Sequence, residues 1–63
     1  MTQKELAYVE DAIGHEENII KILNNLINDV ESDEISSFLE NEINIHASNK
    51  EKLMNLLEVK TNE

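Results

Sequence analysis

A chain of 63 residues with fourteen acidic and five basic side chains, net charge −9, makes one domain at most, and its field repels nucleic-acid backbones and anionic membrane surfaces. The absence of Cys excludes disulfides and thiolate metal sites, and a composition with one Gly and no Pro offers few turns for a sheet, so an all-α fold is predicted. No apolar run reaches the roughly 18 residues of a membrane span or the shorter core of a signal peptide, so a soluble, cytoplasmic protein is expected.

The first element opens at "TQKE", where Thr2 and Glu5 form a capping-box pattern that starts a helix at Gln3. Leu6, Val9, Ile13, Glu16, Ile20, Leu23, Ile27 and Val30 then recur at alternating spacings of three and four, a heptad seam interrupted only by Glu16. Tyr8, Ala12, Ile19, Ile22 and Leu26 widen that arc on one side beyond what a single partner helix would cover. The predicted helix spans 3–30. Within it Gly14 projects away from the seam at a cost of about 1 kcal/mol against Ala, and Glu17 and Lys21 form an ordinary i to i+4 pair.

The stretch "VESDE", residues 30–34, concentrates Ser and Asp between two apolar patterns. A turn is expected at 31–33, with Ser32 or Asp33 capping the second helix. That helix, over 34–59, places Ile35, Phe38, Leu39, Ile45, Leu53, Leu56 and Leu57 within about 60 to 80° of one line, and Glu42, His46 and Asn49 lie on that same line. Tyr8 and Phe38 are expected at the edge of the core, and residues 60–63 to fray. The chain is thus predicted to be a single domain, an antiparallel two-helix hairpin. Such a hairpin alone leaves half of both apolar arcs wet, so two copies should pack as a homodimeric four-helix bundle.

With the turn centred near Ser32, Glu16 comes within roughly 3 Å of axial height of His46. A two-fold dimer would hold two Glu16 and two His46 centrally, flanked by pairs of Glu42 and Asn49, with His15 at the edge of the arc. This layer has two readings. As a structural layer, Glu16, Glu42, His46 and Asn49 pair among themselves and fix register and oligomeric state. As a metal site, Glu16, Glu42, His46 and His15 supply oxygen and nitrogen ligands for a divalent ion, Fe, Mn or Zn. Di-iron carboxylate bundles use Glu-x-x-His, whereas Glu42 and His46 are i and i+4, and Glu42 stands about 9 Å along the axis from Glu16's level. A smaller site built on paired Glu16 and His46, with His15, is geometrically easier. No phosphate loop, nucleophile elbow or metal-protease pattern is present, and a small helical dimer encloses little pocket, so enzyme activity is not expected.

The segments "ELAYVEDAIGHEENIIK" and "DEISSFLENEINIHASNKEKLMNLL" resemble the small ferritin-like helical hairpin proteins of spore-forming Firmicutes related to spore coat protein F, over nearly the whole chain. The resemblance implies a structural or protein-interaction role, coat-associated or sporulation-linked, and marks His15 and His46 as positions to test. Family members often carry His-x-x-His in mid helix two, where this chain has His46 and Asn49. A second likeness supplies the alternative. "SSFLE", residues 36–40, is similar to the Ser-Gln-Glu-Leu-Asp signature of the sporulation aspartyl-phosphate phosphatases, with Phe38 at a polar place and Glu40 at the Asp. That likeness implies that Glu40 acts on the phosphate of a response regulator, docked on the acidic surface.

Overall fold

The computed structural model describes residues 1–61, with side chains through residue 59. Two helices, α1 (Gln3–Ile27) and α2 (Asp33–Thr61), pack against each other as an antiparallel hairpin. The Cα envelope measures 47 × 15 × 10 Å.

The start of α1 follows the capping box. Thr2 Oγ1 accepts from the Glu5 N–H at 3.0 Å, and Glu5 Oε1 accepts from the Thr2 N–H at 2.8 Å, so two of the free donors at the helix start are satisfied reciprocally. The helix ends at Ile27, three residues short of the predicted boundary. Asn28 and Asp29 turn out of it, with the Asp29 N–H donating to the Leu26 carbonyl at 3.0 Å. Asn24, Asn25 and Asn28 are weak helix formers, and the last turn holds no basic residue to complement the negative end of the helix dipole. The connection is therefore 28–32 rather than 31–33. Ser32 caps α2: its hydroxyl accepts from the Ile35 N–H at 3.3 Å and its carbonyl from the Ser36 N–H at 2.9 Å. Asp33 and Glu34 then occupy the first turn, where the dipole favours them. α2 starts at Asp33, one residue before the predicted start, and runs through Thr61, two beyond the predicted end. Of the tail expected to fray, Asn62 and Glu63 lie outside the described residues.

All eight residues of the seam, Leu6 through Ile27 on α1 and Val30 beyond its end, are half-buried. Opposite them α2 presents Leu39, Ile43, His46, Leu53 and Leu57, of which Leu39, at 9% exposure, is the only buried hydrophobic among the described residues. The predicted α2 line needs correction here. Ile35, Phe38, Ile45 and Leu56 are 42 to 61% exposed, and Ile43, absent from that line, is half-buried. The apolar residues of α2 form two rows about 100° apart, too wide for one neighbour, and α1 covers the row that holds Leu39 and His46. Tyr8 and Phe38, expected at the core edge, are each 61% exposed.

The uncovered rows share one side of the hairpin. Tyr8, Ile22 and Leu26 of α1 and Phe38, Ile45, Leu56 and Val59 of α2 are rotated from the inner seam in the sense that brings both sets to the same face, and Met1, Tyr8 and Leu56 line one shallow groove there. The other side presents Glu10, Glu17, Lys21, Asn24, Lys50 and Glu51 around a groove whose floor is apolar, with Ile13, Ile20, Met54 and Leu57. Across it Lys50 Nζ meets Glu17 Oε2 at 3.1 Å. Glu17 thus pairs with the facing helix rather than with Lys21, because antiparallel packing brings Lys50 over the same groove.

Candidate functional site

Glu16 is the one polar residue in the α1 inner seam, a turn from Ile13 and a turn from Ile20, and the packing sets it level with His46. His46 Nδ1 donates to Glu16 Oε2 at 2.6 Å across the two helices, with the side chains 23% and 18% exposed. A carboxylate only accepts, so the proton of this bond belongs to the imidazole. The contact is short, as hydrogen bonds to an ionised acceptor are. Glu42, one turn earlier on α2, brings its Oε2 to 3.8 Å from Nε2 of the same ring, an electrostatic contact beyond hydrogen-bond range. The imidazole therefore stands between two carboxylates, one from each helix.

Three of the four predicted layer residues meet here. The fourth, Asn49, is half-buried on the next turn but takes no part in the hydrogen bond. His15 does not join them. It is exposed, about 100° round α1 from Glu16, and lies in the outer row between Ala12 and Ile19. Among the described residues no three His, Asp or Glu side chains of one chain converge on a common point suited to a metal ion. Glu16 and Glu42 face opposite ring nitrogens, so an ion bound at either nitrogen would have only one of the carboxylates beside it. Glu40, the residue of the phosphatase likeness, is exposed near the start of α2.

No family model, curated protein or solved structure matches this chain. The three grooves described are lined by other residues. The Glu16–His46 bond joins the middles of the two helices, and sliding α2 by one turn along α1 would separate the pair. Among the described residues no helix is long and apolar enough to cross a membrane.

Periodicity alone merges two surfaces into one. The outer row of α1 runs Met1, Glu5, Tyr8, Ala12, His15, Ile19, Ile22 and Leu26, and that of α2 runs Ile35, Phe38, Glu42, Ile45, Asn49, Lys52, Leu56 and Val59. Each alternates spacings of four and three, a second heptad frame laid beside the first. That spacing was the signal available. Lys52 and Ile43 are the residues it would have sorted.

Proposed function

We propose that the protein is a structural, self-associating helical hairpin whose working form is a homodimeric four-helix bundle. On the resemblance to relatives of spore coat protein F, its setting would be the spore coat or sporulation, with no catalysed reaction. The observation that carries this is the outer face: most of the exposed large apolar residues of both helices are gathered on one side, whereas the other carries Glu10, Glu17, Lys21, Lys50 and Glu51 around Met54. Contiguous apolar faces of this kind mark association surfaces.

The size of the surface supports the same reading. The accessible area is 4897 Å², whereas a compact monomer of 7.2 kDa would show roughly 4,100 Å². The excess reflects the elongated shape, 47 × 15 × 10 Å, in which each helix is covered by one neighbour only. Each helix also carries two heptad rows, the number needed when every helix of a bundle touches two neighbours.

Sedimentation tests it. The parent chain should sediment at twice 7.2 kDa and melt at a temperature that rises with concentration. Ile22→Asp, in the middle of the outer face, should give a monomer with a concentration-independent melt. A parent chain that stays monomeric at millimolar concentration refutes the proposal.

A further inference from the structure

The geometry points to one arrangement of that dimer. The two hairpins lie face to face with their connections at opposite ends, α1 on α1 and α2 on α2, and Glu42 forms an ion pair with Lys52 of the partner subunit. This rests on the self-association proposed above and adds orientation and register to it.

Two hairpins mated through one face are related by a two-fold axis that runs either along the helices or across them. With the axis along the helices, both connections meet at one end and each α1 covers the other copy's α2. With the axis across them, every helix covers its own counterpart, antiparallel. The outer row of α2 distinguishes the two. About the height of Ala47 it carries a pair of apolar residues at each end and, inside them, Glu42 and Lys52, five residues either side of the centre; only Ile45 and Asn49, two residues either side, differ in character. Laid antiparallel on itself, this row sets Phe38 against Leu56 of the partner subunit and Glu42 against Lys52 of the partner subunit.

In the alternative arrangement the register fixed by the Glu16–His46 hydrogen bond places Glu42 nearest Ile19 and Lys52 between Tyr8 and Ala12. Both charges would then enter an apolar interface with no ion partner opposite them, whereas the antiparallel arrangement pairs them with each other and leaves only Glu5, near the end of the α1 row, opposite an apolar residue, Ile22 of the partner subunit. Within the hairpin, among the described residues, Lys52 makes no ion pair, and Glu42 has only its long contact with His46. Both are available to a second copy. One axis must also serve α1, whose outer row centres between Ile13 and Gly14. Because Glu16 is level with His46, the two row centres differ by about 1.5 residues, roughly 2 Å, an offset that side chains absorb.

The arrangement is tested by sedimentation of Glu42→Lys, Lys52→Glu and the double variant. Glu42→Lys moves the net charge from −9 to −7, which alone would relieve repulsion between copies. It should nevertheless weaken the dimer by roughly tenfold or more, because residue 42 then faces a like charge. Lys52→Glu should weaken it similarly, and the double exchange should restore affinity to within a few-fold of the parent. The chain has no Cys, so Phe38→Cys with Leu56→Cys gives an independent measurement. On one helix these positions are roughly 27 Å apart and cannot close on each other, so mild oxidation should yield a covalent dimer. A dimer that tightens or holds with Glu42→Lys, or that stays uncross-linked, overturns this arrangement and leaves the apolar-face proposal standing. A monomeric parent overturns both.

Discussion

On α1 the inner row sets Leu6, Val9, Ile13, Ile20, Leu23 and Ile27 around a single polar residue, Glu16, while the outer row sets Tyr8, Ala12, Ile19, Ile22 and Leu26 around His15. The two are close in apolar content, yet the inner row is half-buried throughout and the large residues Tyr8, Ile22 and Leu26 of the outer row are 47 to 61% exposed. Apolar content therefore does not decide which row closes the hairpin. What distinguishes the rows is the fate of their polar residues: Glu16 meets His46 at 2.6 Å on the facing helix, whereas Glu5 and His15 of the outer row are exposed.

The sharpest way to break that comparison is to truncate one side chain in each row. Leu39→Ala removes the side chain with the least exposure among the described residues and should cost about 2 to 4 kcal/mol, enough to abolish a cooperative melt in so small a domain. Phe38→Ala, its neighbour in the outer row, should leave helix content at high concentration nearly unchanged and act through the dimer dissociation constant. If circular dichroism shows both variants losing helix to the same degree at every concentration, the two rows are not distinct surfaces.

Next in size is the layer itself. Replacing His46 by Ala leaves Glu16 half-buried without its donor and should cost about 1 to 2 kcal/mol, the penalty for stranding a partly buried charge being larger than the net value of the bond. Changing both partners to Leu should be neutral or stabilising, since a matched apolar pair avoids desolvating either group. The same melts probe the metal reading. A layer satisfied by its own hydrogen bond should keep its melting temperature after dialysis against a chelator, while an ion held between copies would add stability that the chelator removes.

Much of this architecture is legible in the residues themselves, and the reasons are local. The Thr2 and Glu5 box and the α1 seam depend on neighbours within a few turns, and Glu16 and His46 come together from turn position and helix rise alone. The rest depends on rotation about the helix axis. On α2 the two rows border each other at Glu42 and Asn49, so periodicity could not say whether Ile45 or Ile43 turns inward; only the packing against α1 decides. Likewise Glu17 had an adequate partner in Lys21 by spacing, and a better-placed one in Lys50 that only the tertiary fold reveals. Val30 continues the heptad although Asn28 and Asp29 have already left the helix, so α1 is shorter than its spacing predicts.

The smallest effect separates the two broad faces of the hairpin rather than its rows. Gly14 lies on α1 away from the inner seam, and a Cβ added there would meet nothing within 4 Å. Within one hairpin, Gly14→Ala should therefore stabilise by about 0.8 to 1 kcal/mol, the helix-propensity difference with no steric cost. If copies mate through Tyr8, Ile22 and Phe38, the new methyl remains in solvent, and the melt should shift upward while the dissociation constant stays where it was. If they mate instead across the side that bears Glu17 and Lys50, Gly14 is close enough to the contact for the methyl to alter the constant. A single substitution with measurements of both stability and affinity thus asks which face is the interface without disturbing any residue that builds it.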